Sequence, residues 1–336
     1  MEHPLRKASA MLSLLALVAT TDCSPCEAPE CSTKGTPSWE QAFSASGFGS
    51  VSGVWGSSPS DVYAVGGGEA GAIYHFDGTE WGRVEHPAVP LLVWVYGFGP
   101  DDVWAVGTRG GVLHFDGNEW SRLDPGLSDD LWGVFGHSPN DVWLVGGDVQ
   151  LGPPVLLHFD GTGFTLEELA SSENPLGARA LFKVWGVGTK LFAVGQLGLI
   201  LEHADGRWLR RPAGADADDD FVSLWGTSEN NIIAVGGRAN ARIAHFDGVS
   251  WTTTAPTGIA GLNGVYLDNQ GTVYIGGVYG TLGTYDIASG AVALDEVDTY
   301  FDLHAVWGDG SRTVYAVGGN FLAPYAGIAL RRDLSP

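Results

Sequence analysis

The stretch DVWAVGTRGGVLHFDGNEW, Asp102 to Trp120, decides the fold because it recurs along the chain. It returns as DVYAVGGGEAGAIYHFDGTEW (Asp61–Trp81), DVWLVGGDVQLGPPVLLHFDGTGF (Asp141–Phe164) and NIIAVGGRANARIAHFDGVSW (Asn231–Trp251). Anchored on the residue inside the VYAVG-type strand, the unit falls at Tyr63, Trp104, Trp143, Phe192, Ile233, Tyr274 and Tyr315. Most steps are close to ~40 residues, the spacing of propeller blades. A second aromatic stands upstream of each anchor: Trp55, Tyr96, Phe135, Trp185, Trp225, Tyr266 and Trp307.

Each unit parses into four short strands. GVWG or SLWG opens it, and a Pro- and Asp-bearing turn such as SSPSD follows. VYAVG is the second strand, and its closing glycines permit a tight exit. AIYHF, VLLHF or RIAHF is the third, with apolar residues at alternate places. An Asp-Gly hairpin turn leads to a fourth strand near Trp81, Trp120, Phe164, Trp208 or Trp251. The seventh unit reaches GIALRR without a fourth strand, whereas TPSWEQAF (Thr36–Phe43) stands before the first unit with nothing to pair with. The expectation is an all-β, seven-bladed propeller spanning 36–336, closed by an N-terminal strand around Trp39 that completes the last blade and removes the open edges.

His75, His114, His158, His203 and His245 precede the Asp-Gly turns at equivalent places. Five copies on separate blades cannot share one substrate, so each is expected to bond within its own blade. The repeated Asp follows from turn chemistry, and the tryptophans fill the wedges between blades.

Acidic residues number 39 against 17 lysines and arginines, a net charge of −22. That balance argues against a nucleic-acid surface, which needs clustered basic residues. At the N-terminus, Arg6 and Lys7 precede the apolar run MLSLLALVA (Met11–Ala19), too short to span a bilayer. This reads as a signal peptide over 1–22, followed by a Cys-containing linker over 23–35. Lipidation at Cys23 would leave a Cys26–Cys31 disulfide, although Asp22 stands where a lipoprotein cleavage box has a small residue. A plain signal peptide with a thiol-bearing linker is the other reading. The Cys-x2-Cys-x4-Cys spacing lacks a nearby fourth metal ligand. Export to the periplasm, the cell surface or the medium is expected, with membrane contact only through a lipid anchor.

AVGTRGGVLHFDGNEW resembles the BNR or Asp-box propeller repeats, photosystem-assembly-factor type included, and VYAVGG…YHFDGTEW is also similar to kelch repeats. The resemblance covers roughly Trp39 to Asp333 and implies a propeller of the kind bacteria export. It departs from the Asp box where His114 replaces a Ser or Thr two residues before Asp116. Such families hold sialidases and copper oxidases beside non-catalytic adaptors. Here the arginines follow no carboxylate-gripping pattern, and no Cys lies inside the propeller to crosslink a Tyr. Gly-x-Ser-x-Gly and His-Glu-x-x-His are absent as well.

Residues outside the repeat are more informative about function. Segments joining one blade to the next share a face with the second-to-third-strand turns, and they concentrate acids. Asp129, Asp130, Asp216, Asp218, Asp219, Asp220, Asp298 and Asp302 are the candidate partner- or ligand-binding residues. Calcium at Asp216, Asp218 and Asp220 is the one cofactor considered, since hard oxygen ligands suit it. The loops VQLGPP (149–154) and FLAPYAG (321–327) are further contact candidates. The expected function is an exported, monomeric, non-enzymatic binding or scaffold module that contacts an envelope or extracellular protein, or a glycan. The alternatives are a carbohydrate-active hydrolase or lyase with acids at the ring centre, and a structural envelope protein.

Overall fold

The computed structural model describes residues 38–214, 219–310 and 312–334. The expected signal peptide, the Cys23 lipidation site, the Cys26–Cys31 disulfide, Asp216 and Asp218 all lie outside the described residues.

Seven four-stranded antiparallel sheets follow one another. Blade 1 comprises Ser50–Ser58, Asp61–Gly67, Gly71–Phe76 and Trp81–Val84. Blade 2 comprises Leu92–Gly99, Asp102–Gly107, Gly111–Phe115 and Trp120–Arg122. The pattern repeats in blades 3 to 6, which open at Leu131–Ser138, Leu181–Val187, Phe221–Ser228 and Leu262–Leu267. Blade 7 holds Leu303–Gly308, Thr313–Asn320 and Ala326–Asp333, and its fourth strand is the N-terminal Glu40–Gln41. There Glu40 pairs with Arg331 and Gln41 with Leu330. The ring therefore closes as the orphan TPSWEQAF segment requires. Trp39 fastens the closure by donating its indole N–H to Asp295 of blade 6 at 2.9 Å, and Arg332 meets the same carboxylate oxygen at 2.9 Å.

Burial explains the wording of the repeat. Second strands such as Val62–Val65 and Val142–Val145 are buried without alternation, because each blade is covered on both faces by its neighbours. Fourth strands at the rim, such as Phe164–Leu166, are largely exposed and carry the weakest pattern. First strands touch one another all round the axis, blade 1 meeting both blade 2 and blade 7.

The upstream aromatics form a girdle on these first strands. Trp55 meets Tyr96 at 5.8 Å between ring centroids, Tyr96 meets Phe135 at 4.8 Å, and Trp185 meets Trp225 at 5.4 Å. In blades 1 to 4 and 7 the glycine after the aromatic makes room for a ring of the blade before. A β-carbon on Gly308 would stand 2.4 Å from the Tyr266 ring. In blade 5 a β-carbon on Gly226 would meet Asn231 and Ile232 of its own blade, and in blade 6 Tyr266 is followed by Leu267.

The histidines bond within their blades. His75, His114 and His158 place Nε2 at 2.6, 2.8 and 2.9 Å from Asp61, Asp102 and Asp141, and His245 places it 3.0 Å from Asn231. Each partner is the first residue of the second strand. His203 differs because Lys190 holds that position, and Lys190 pairs instead with Glu202 at 2.6 Å. His203 packs between Trp143 and Trp208.

The Asp-Gly turns are longer than a two-residue hairpin in most blades. Asp77 accepts the backbone N–H groups of Thr79 and Glu80 and the Thr79 hydroxyl, closing a four-residue loop. The Thr79 hydroxyl, then these backbone donors, hold the Asp77 carboxyl down at about 2. Asp205-Gly206 is the true two-residue turn, with both φ angles positive.

Candidate binding face and channel cavity

Strand direction alternates within a blade, so second-to-third hairpins and blade-to-blade segments emerge on one face, here the upper face. In blades 2, 4 and 6 the hairpin tips read Arg109-Gly110, Leu197-Gly198 and Tyr279-Gly280. All six residues have positive φ, and Arg109, Leu197 and Tyr279 are three of only four non-glycine residues so placed among the described residues. The left-handed region costs such residues ~1–2 kcal/mol each.

The interblade acids hold these tips. Asp130 accepts the Arg109 N–H at 2.9 Å, Asp220 the Leu197 N–H at 3.1 Å, and Asp302 the Tyr279 N–H at 2.9 Å. Backbone carbonyls of Asp129 and Phe301 take the next N–H, from Gly110 and Gly280, at 2.9 and 3.0 Å. Three of the candidate binding carboxylates are thus already engaged within the fold. Asp220 is buried and ion-paired to Arg238, and Asp219 accepts the Arg238 N–H at 3.1 Å. Asp129 is half-buried, while Asp298 is exposed. The eight acids belong to three separate interblade segments, and among the described ones only Asp219 and Asp220 meet one shared partner, Arg238. A calcium ion at Asp220 would compete with the Arg238 guanidinium. No group of three metal-ligating side chains occurs among the described residues.

The exposed apolar side chains of this face were missed in the sequence. Leu197 is 41% exposed, Tyr279 76% and Tyr300 89%, beside Leu151 at 69% and Leu322 at 80% on the loops 149–154 and 321–327. A residue other than Asn or Asp before Gly in a tight hairpin was the available signal.

A cavity of about 340 Å³ opens on the upper face at the ring axis. Its wall includes Ser52, Val93, Trp132, Phe182, Val222, Asn263 and His304, one from the first strand of each blade. Arg238, Val278, Asp302 and Phe321 form its rim. His304 is half-buried, meets the Gly319 carbonyl through Nε2 at 2.8 Å, and stacks on Phe321. Burial holds it below the usual histidine range. The next residue along each first strand is Gly53, Trp94, Gly133, Lys183, Ser223, Gly264 or Ala305. Of these only Trp94 and Lys183 carry long side chains; Lys183 lines the cavity, and its ammonium lies 2.9 Å from the Trp94 ring centroid. A second cavity of about 350 Å³ lies on the lower side, lined by the girdle and by Asp309.

No family model and no curated protein matches this chain. Solved propellers do. The WD40 β-propeller domain of Doa1 superposes with a TM-score of 0.68 at 10% identity, covering 90% of this chain and 98% of that one. YCF48 bound to a D1 peptide gives 0.64 at 14%, covering 89% and 97%, and YCF48 from Cyanidioschyzon merolae gives 0.66 at 15%, covering 88% and 98%. The extracellular domain of a two-component system from B. thetaiotaomicron gives 0.66 at 11%, covering 88% of this chain and 40% of that one. At such identities the likeness is one of fold, and the fold is the seven-bladed propeller.

Proposed function

We propose that this chain is an exported, non-enzymatic binding propeller that holds a partner protein on its upper face. The observation that carries this is the set of strained hairpin tips. Glycine would occupy positions 109, 197 and 279 without strain, yet these positions present Arg, Leu and Tyr to solvent. Side chains kept at a conformational cost and left exposed are explained by contact outside the fold. Exposed Leu151, Tyr300 and Leu322 extend the patch, and Asp298 and Asp129 give it an acidic rim. The matching partner is a polypeptide carrying apolar side chains among basic ones.

The comparisons agree at the level of fold: one neighbour is bound to a peptide and another is an extracellular domain. The two cavities lined by first-strand residues support the non-enzymatic reading. A glycosidase needs two carboxylates ~5–10 Å apart, whereas among the described residues Asp302 is the single acid lining the upper cavity and Asp309 the single acid lining the lower one.

The test is in-cell crosslinking followed by pull-down of the native chain, of Tyr279→Glu with Leu322→Glu, and of Val249→Glu on the lower face. Loss of the captured protein in the upper-face variant alone is the expected result. Equal capture by all three removes this face, and capture by none turns the search to glycans.

A further inference from the structure

Lys183 is the one side chain of the channel that the propeller architecture does not explain. It is 6% exposed and makes no hydrogen bond or ion pair among the described residues. Its ammonium comes from blade 4 and lies against Trp94 of blade 2, so it reaches past the first strand of blade 3 rather than stopping at the adjacent blade. Five of the seven blades place Gly, Ser or Ala at that level. An apolar residue would fill the space at lower cost, because a buried ammonium without a counter-charge is expensive. The two charged groups at the rim are already occupied: Arg238 by Asp220, and Asp302 by the Tyr279 N–H.

We propose that the upper channel cavity binds a small apolar carboxylate, with its charged end at Lys183 and its body against Trp132, Phe182 and Phe321. The cavity, at about 340 Å³, falls at the lower end of the ~300–1,000 Å³ range of small-ligand pockets. Its wall is largely aromatic and aliphatic, with one cation at the floor. The Trp94 face holds the ammonium in place through a cation–π contact. An incoming carboxylate supplies the counter-charge that the fold withholds, and a charge-assisted hydrogen bond in this desolvated setting is strong. Burial already holds the Lys183 ammonium well below its ordinary range, which is the state that an anion would relieve. The same chemistry could arrive as a free acid or at the carboxyl end of a partner's chain.

Titration calorimetry on the full chain distinguishes these sources. One arm compares 3-phenylpropionate with 3-phenylpropionamide; the other compares a short peptide ending in Phe with its C-terminal amide. The expected result is at least tenfold weaker binding of the amide in one arm, abolished by Lys183→Met. Discrimination in the first arm assigns a free small molecule, and discrimination only in the second assigns a chain end. Equal binding of acid and amide in both arms, or no binding by any probe, overturns the proposal. Trp132→Ala, which leaves the charge in place, should weaken acid and amide alike, so the inference stays testable if Lys183→Met does not fold. Tyr279→Glu with Leu322→Glu should leave the discrimination intact, so failure of the protein-binding reading and failure of this one are separable.

Discussion

At Gly97 a β-carbon would stand 2.6 Å from the Trp55 ring and 2.6 Å from the Asp102 carbonyl. The girdle therefore depends on an absent side chain as much as on the aromatics. Neither obstacle is the free end of a flexible chain: one is backbone, and the other is a ring packed against Tyr96. Gly97→Ala is expected to destabilise the propeller by ~1–3 kcal/mol through overpacking. Gly82, on an exposed fourth strand, has nothing within 4 Å of its would-be β-carbon. Gly82→Ala should be neutral or stabilising by ~0.5–1 kcal/mol, because strand glycine costs conformational entropy. Urea midpoints of the two variants check the pair. Equal losses would mean that the cost comes from strand glycines in general and not from the girdle.

Among the elements, the shortest strand closes the ring. Glu40–Gln41 covers the edge of Ala326–Asp333, and the Ala42 N–H reaches the Ala329 carbonyl at 2.8 Å. Ala42→Pro removes that donor and should cost ~1–3 kcal/mol. It should also raise oligomer content in size-exclusion chromatography as the last blade's edge is uncovered. A monomer with an unchanged melting point would show that Trp39 and Asp295 hold the closure without the ladder. The closure was legible because a strand count that fails at one end and overruns at the other has one economical solution. The four-strand unit was legible because covered blades write unbroken apolar strands. The acids were legible as a cluster, but their task was not: whether Asp130 points outward or accepts the Arg109 N–H depends on the approach of a hairpin from the preceding blade. Trp94 and Lys183 stayed hidden for a related reason. They meet across a blade, at a separation that no repeat spacing encodes.

For the whole molecule, charge and apolar surface make opposing demands. A net charge of −22 keeps the chain soluble but sets its surface against itself. Salt screens that repulsion, with a Debye length of ~10 Å at 0.1 M falling to ~3 Å at 1 M. The melting temperature should therefore rise with sodium chloride across this range. Capture of a basic partner should weaken over the same range, since the exposed acids attract it over distance whereas the hairpin tips hold it in contact. The two trends separate because screening acts on the rim and leaves apolar burial intact. Association rates should fall steeply with salt while dissociation rates change little, and Tyr279→Glu should do the reverse. Surface-plasmon measurements with the captured partner read both. An association rate indifferent to salt would show that the acids of the upper face serve the hairpins alone, leaving recognition to Leu197, Tyr279 and Leu322.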